Sequence, residues 1–214
     1  LPKEQRDALK DVGGFVGGWL KDGVRKNGNV ICRSVGALDA DSIQGDFVSL
    51  VRRALEGITY FIYSTHSHTE EAPRCRLIIL FAREVSEDEY PALTRMIAKQ
   101  IGMEHFDDST YQANRMMYWS SCPSNGVFIF DEGIGAPLDP DKYLAMYHDW
   151  RDVTQWPTSS RESEVMLRSA AQQKDPLAKE DLVGTFCRAY DPIETAIDEH
   201  LADVYAPSAC EGRY

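Results

Sequence analysis

The stretch VICRSVGALDAD, residues 30–41, decides the fold. Val30 to Leu38 is apolar and β-branched enough to read as a strand, and it runs straight into Asp39-Ala40-Asp41. Side chains alternate along a strand, so Asp39 and Asp41 face the same side. Paired hard-oxygen ligands on one face suit Mg²⁺ or Mn²⁺, with substrate phosphates completing the shell. On spacing alone, a strand-to-helix loop rich in turn-forming aspartates also accounts for the pair.

Working outward, a helix is expected over residues 3–11, stopped by Gly13-Gly14. Gly17-Gly18 precedes a basic turn from Lys21 to Lys26. Downstream, Asp46 can cap a helix whose stripe is Phe47, Leu50, Val51, Ala54 and Leu55, ended by Gly57. Strands are expected over Tyr60–Ser67 and Cys75–Ala82, joined by a hairpin loop at Thr69–Pro73. Ser86 and Glu89 form a capping box for a helix from Glu87 to Ile101, closed by Gly102. Met116–Ser120 and Val127–Phe130 read as a further hairpin, turned by Pro123-Ser124-Asn125-Gly126. Pro140, after the capping Asp139, opens a helix to about Trp150. After Trp156-Pro157 three helical patterns follow: Arg161–Gln173, Glu180–Tyr190 and Ile193–Val204. The expectation is an α+β domain over 1–152 and a small helical appendage over 153–214.

The 214 residues have room for that arrangement, and the absence of a methionine at Leu1 suggests a piece of something longer. No apolar run is long enough to span a bilayer. The five cysteines show no C-x-x-C, which disfavours structural zinc and suits reduced thiols. A net charge of −11 argues against a generic nucleic-acid coat. Acids dominate from Asp175 to Glu211, however, while many arginines, Arg25 to Arg83 among them, lie in the first half. No Walker A and no G-x-S-x-G occurs, which disfavours a P-loop ATPase or a serine hydrolase.

Ser64-Thr65-His66-Ser67-His68-Thr69 is the most unusual segment. On a strand, Ser64, His66 and His68 share a face, and such a cluster at a strand end suggests an anion or metal site. The H-x-H is followed by Glu70-Glu71 rather than Asp-His, so a zinc-hydrolase motif does not follow. Arg74 and Arg76, again two apart, can hold a triphosphate or simply flank a buried strand. Phe106-Asp107-Asp108 adds carboxylates before Arg115, and an ordinary loop and a surface arginine would look the same.

The order of these weak signals resembles the archaeo-eukaryotic primase superfamily, in its branch of phage and mobile-element primase-polymerases. Leu38-Asp39-Ala40-Asp41, Ser64-Thr65-His66 and Phe106-Asp107 stand in the places of its three motifs. Tyr63 to Thr69, Pro73-Arg74-x-Arg76, Glu89-Tyr90, Arg115-Met116-Met117-Tyr118-Trp119 and Gly17-Gly18-x-Leu20 with Arg25-Lys26 are similar to the primase region of virulence-associated-E-type primase-helicases.

The resemblance implies an RRM-like mixed or antiparallel catalytic sheet with an N-terminal α/β unit. The helical tail would be the linker that precedes an ATPase or helicase domain. It implies Asp39, Asp41 and Asp107 as catalytic ligands of Mg²⁺ or Mn²⁺. Ser64, His66, His68, Arg74, Arg76 and Arg115 would lie around the nucleotide, with Arg25 and Lys26 as template or phosphate contacts. Asp108 competes with Asp107, and His68 with His66. The activity implied is template-directed nucleotidyl transfer from dNTPs or NTPs on single-stranded DNA, in the cytoplasm of a bacterial host. A metal-dependent nuclease or phosphohydrolase, and a non-catalytic replication-initiator module, are the alternatives.

Overall fold

The protein is represented by a computed structural model, which describes residues 13–162 and, beyond them, Ala189 alone. The chain divides into two compact units, Leu1–Ser163 and Glu164–Tyr214. The helices expected over 3–11 and within the tail fall almost wholly outside the described residues.

Among the described residues of the first unit there are seven strands and three α-helices. The strands are β1 (Gly14–Phe15), β2 (Gly18–Leu20), β3 (Val30–Ala40), β4 (Tyr60–Ser64), β5 (Cys75–Val85), β6 (Met117–Tyr118) and β7 (Phe130–Gly133). The helices are α1 (Phe47–Ala54), α2 (Glu89–Ile101) and α3 (Pro140–Leu144). Five strands form one antiparallel sheet in the order β2-β3-β5-β4-β7, and β1 pairs with β6 in a separate ribbon. The fold class is α+β, as the sequence implies.

Alternation along the central strands builds the core. Leu38, Leu77 and Ile62 lie in one cross-strand row and are fully buried. Phe47 and Val51 of α1, Leu93 and Ile97 of α2 and Leu144 of α3 belong to the same cluster. Intervening residues face the other side, which is why polar side chains can stand in the middle of the sheet. The caps form as read. Asp46 accepts from the Ser49 N–H at 3.1 Å, and Ser86 and Glu89 satisfy each other's backbone N–H groups at 2.8 and 3.2 Å.

Four elements differ from the sequence reading. β4 stops at Ser64, because residues 66 and 67 make a turn. β5 continues three residues past Ala82. The helix from Pro140 is five residues long and gives way to turns. The expected hairpin does not form between its own halves: Met117–Tyr118 pairs with Gly14–Phe15, and β7 pairs with β4. The turn at Pro123–Gly126 is real, with the Gly126 N–H on the Pro123 carbonyl at 2.9 Å, but its arms find other partners. Glycine permits this. A Cβ on Gly14 would stand 2.6 Å from the Met117 carbonyl oxygen, and one on Gly18 would stand 2.0 Å from that of Cys32.

Arg33, one of the first-half arginines, lies inside the protein rather than on a basic surface. Its guanidinium donates to the carbonyls of Gly17, Ala113 and Val35 and to the Tyr90 hydroxyl, and lies 4.1 Å from the Tyr90 ring centre. A buried charge is tolerated only when so many donors are satisfied.

Residues 153–162 pack onto the same unit. Val153 is buried and Trp156 leans on the core. Arg95 of α2 donates to the Pro157 carbonyl and to both oxygens of Glu162, under the Tyr111 ring at 4.4 Å. The division expected at residues 152/153 remains a proposal, and these contacts give it a test. A chain ending at residue 152 is expected to melt well below one ending at 163, because it loses the burial of Val153 and Trp156 and the Pro157 and Glu162 partners of Arg95, a loss on the order of 3 kcal/mol. Equal melting temperatures would show that the packed segment adds nothing.

Candidate active site

Register places Asp39 of β3 opposite Arg76 of β5, and Arg76 opposite Tyr63 of β4. The Arg76 guanidinium grips both Asp39 carboxylate oxygens, with donor distances of 3.0 to 3.2 Å. Its remaining nitrogen donates to the Tyr63 hydroxyl at 3.3 Å and to the Tyr118 carbonyl at 2.5 Å. With every nitrogen engaged and the side chain 7% exposed, Arg76 is a brace for Asp39. It ties β3, β4, β5 and β6 together at one point.

Asp41 follows just past the strand end and pairs with Arg74 at 3.1 Å, both side chains being more than a third exposed. Burial pushes the Asp41 carboxyl above the ordinary carboxylate range, and the negative charge of Asp39 pushes it further. Arg74 opposes this, and Asp107 adds to it. The charges of Asp39 and Asp107 therefore both reach Asp41.

Asp107 arrives on the outer edge of β3. Phe106 bridges to Ala40, and the Asp107 N–H donates to the Asp39 carbonyl at 2.9 Å. The Thr110 hydroxyl fastens the same edge, accepting from the Asp39 N–H at 3.0 Å and donating to the Ala37 carbonyl at 3.1 Å. The Asp107 carboxylate accepts from the Ser109 N–H and lies 3.7 Å from Arg115. Asp108 instead stands 3.5 Å from Arg161.

Beside Asp39 and Asp41 opens a cleft of about 480 Å³. Asp39, Asp41, Arg74, Arg76, Arg25 and Arg115 give it a charged lining; Thr65, His66 and Ser67 add a polar turn; Met116, Tyr118, Trp119 and Ser121 complete it. His66 reaches Ser121, Nδ1 to Oγ, at 3.0 Å. His68 does something different. It is buried, and its Nδ1 accepts the Arg74 backbone N–H at 3.0 Å, fixing the turn that presents Arg74. Ser64 is buried as well, and its hydroxyl accepts the Ile129 N–H at 2.9 Å. Ser64, His68, Lys26 and Asp107 are not among the residues lining the cleft, whereas Asp39, Asp41, His66, Arg74, Arg76, Arg115 and Arg25 are.

Thr65 and Ser67 carry the same hydroxyl signal as their neighbours but were given no role from sequence. Tyr118 and Trp119 entered only as part of a motif, and Ser121 had no signal at all.

Among the described residues, no three acidic, histidine or cysteine side chains converge as a ready-made metal cage. That donor set does not suit zinc, which wants a closed tetrahedron. It does fit Mg²⁺ or Mn²⁺, which take one or two carboxylates and leave the other positions to water and substrate phosphates. Asp39 and Asp41 would be the carboxylates; Asp107, outside the cleft lining, reaches Asp41 through its charge.

Paired carboxylates and arginines line this cleft, beside the face of the antiparallel sheet that carries Asp39 and Arg76. The chain belongs to the VapE N-terminal domain family, whose model matches residues 1–159. The resemblance carried by the Asp39, His66 and Arg115 motifs is thereby shown at the family level. Among solved structures, the chain is similar to the AEP domain (PP-N190) of the cyanophage S-2L primase-polymerase (PrimPol). The TM-score is 0.46 and the identity 17%, over 68% of this chain and 76% of that one. No curated protein matches it at a significant level.

Two outcomes follow from the geometry. Because the Asp41 carboxyl titrates above its unfolded value, the folded state binds the extra proton, and stability falls as pH rises through that window. At neutral pH Asp41 thus costs stability, and Asp41→Asn is expected to melt higher than wild type at pH 7. That gain should shrink below the ordinary carboxylate range; a lower melting temperature at pH 7 would contradict it. The histidines should separate in the same assay. His68→Ala strands a backbone N–H and is expected to cost about 1–3 kcal/mol, while His66→Ala, on the cleft surface, should leave the melting temperature nearly unchanged.

Proposed function

We propose that this chain is the catalytic core of a DNA primase-polymerase. It would make and extend primers by template-directed nucleotidyl transfer, with Mg²⁺ or Mn²⁺ as cofactor. The observation that carries the reading is the convergence of Asp39, Asp41, Arg74, Arg115 and His66 on one cleft in a member of this family. In the reaction, the primer 3′-hydroxyl gives up its proton to solvent, its oxygen bonds to the α-phosphorus, the bond from that phosphorus to the α–β bridging oxygen breaks, and pyrophosphate leaves with the electron pair.

Asp39 and Asp41, with Asp107 beside them, would hold the divalent ion. When bound, that ion supplies Lewis-acid stabilisation of phosphate charge and lowers the pKa of the attacking hydroxyl. Arg76 keeps Asp39 oriented throughout. Arg74, Arg115 and His66 offer donors to the triphosphate, aimed at the charge that builds during transfer. In this structure Arg74 is paired with Asp41. Drawing Asp41 towards a cation frees the Arg74 guanidinium for phosphate, so ion and nucleotide should help each other bind. Arg25 stands in the cleft lining as a further phosphate contact.

The partners on this reading are single-stranded DNA template, dNTPs or NTPs, and an ATPase or helicase domain of a longer protein. The setting would be mobile-element or phage replication in a bacterial cytoplasm. Among the described residues no helix is long and apolar enough to cross a membrane.

The test is incubation with primed single-stranded template, each nucleotide set, and Mg²⁺ or Mn²⁺. Extension of the primer is expected, and Asp39→Asn with Asp41→Asn, which keeps an acceptor for the buried Arg76 while removing both negative charges, should abolish it. Shortening of the primer would make the chain a nuclease. Binding indifferent to metal and nucleotide, with no extension, would make it a non-catalytic module.

A further inference from the structure

The cleft has one wall that phosphate chemistry does not use. Tyr118 and Trp119 line it, and both are open to solvent, Trp119 with 54% of its surface exposed. A single exposed aromatic needs no explanation. This one is held in place. The Phe15 ring lies behind the indole at 4.8 Å between centroids, tilted by 32°. The Trp119 backbone N–H donates to the Gly13 carbonyl at 3.0 Å, continuing the β1–β6 ribbon. A Cβ added to Gly13 would meet the edge of the indole at 3.5 Å, an ordinary van der Waals contact, so the ring stands beside this turn of the ribbon. The ribbon is short, and Gly14 lets its strands approach closely enough to form.

Resting on the reading of the cleft as a nucleotide site, we propose that Trp119, backed by Phe15, is a stacking platform for a nucleobase. The ligand is flat and aromatic at one end and anionic at the other. The same cleft offers a pre-positioned indole and the guanidiniums of Arg25, Arg74 and Arg115. A side chain ordered before binding loses little entropy on binding. Every base presents a π face, so such a platform is indifferent to sequence. The base is that of the nucleotide whose phosphates the arginines hold, or of the adjoining strand; the chemistry is the same, and the test separates the two.

The full chain is titrated with four probes: a dNTP with Mn²⁺, inorganic tripolyphosphate with Mn²⁺, oligo-dT, and an abasic oligomer of equal length. Trp119→Ala should weaken the dNTP or oligo-dT by roughly five- to a hundredfold. It should leave tripolyphosphate and the abasic oligomer unchanged, and Trp119→Phe should restore most of the loss. A defect confined to the dNTP assigns the platform to the incoming nucleotide, and one confined to oligo-dT assigns it to the strand. Thermal melting verifies that both variants fold, as expected for an exposed ring. If Trp119→Ala binds dNTP and oligo-dT like wild type while Arg74→Ala binds dNTP weakly, the platform is overturned and the nucleotide site stands. An equal loss for the base-free probes also overturns it. If wild type binds none of the four probes, the site and the platform fall together.

Discussion

The antiparallel register of β3 and β5 is the constraint on which the rest depends. It sets Asp39 opposite Arg76, and the bidentate pair then fixes what surrounds it. Tyr63 from β4 and the Tyr118 carbonyl from β6 complete the guanidinium's donors, so one side chain joins four strands. A slip of one residue would send Leu38 and Leu77 to the open face and the charged pair into the core. Neither outcome is tolerable, since the first exposes the most buried row of the sheet and the second buries charge among apolar side chains. The hydrophobic pattern and the ion pair therefore specify the same alignment.

The site is arranged against its own stability. Asp39, Asp41 and Asp107 are close enough for the charge of two to disturb the third. Arg76 and Arg74 balance part of that repulsion, one from a buried position and the other from a half-exposed one. The difference gives the two arginines different work. Arg76 has no spare donor and stays with Asp39. Arg74 is part-exposed and holds Asp41 through one nitrogen, on a turn steadied by His68. The repulsion is sustained by packing elsewhere, in the Leu38–Leu77–Ile62 row and the helices that cover it.

Much of this was legible in the sequence wherever a local rule was strong. The period-two pattern of residues 30–41 gives the strand and the shared side of Asp39 and Asp41. The capping box at Ser86 and Glu89 gives the start of α2 to within two residues. Non-local pairing was not legible. Nothing near Met117 says that its partner is Phe15, a hundred residues earlier in the chain, and a good turn at Pro123–Gly126 pointed the other way. Residue roles were blurred for a similar reason. Ser64, His66 and His68 share a spacing, but β4 ends at Ser64, so the alternation that would have put them on one face stops there. Ser64 and His68 turn inward to hold backbone N–H groups, and His66 alone of the three is left in the cleft. Arg33 is one of the first-half arginines, and composition cannot see that it is buried.

The central claim is that carboxylates and arginines form one site in which ion and nucleotide are bound together. Calorimetric titration of Mn²⁺, with and without a saturating non-hydrolysable dNTP, tests it most directly. The account predicts that each ligand tightens the other by roughly five- to a hundredfold, and by the same factor in either order of addition. It also predicts that Arg74→Ala shrinks that factor. Independent binding of the two in the wild-type protein would contradict it.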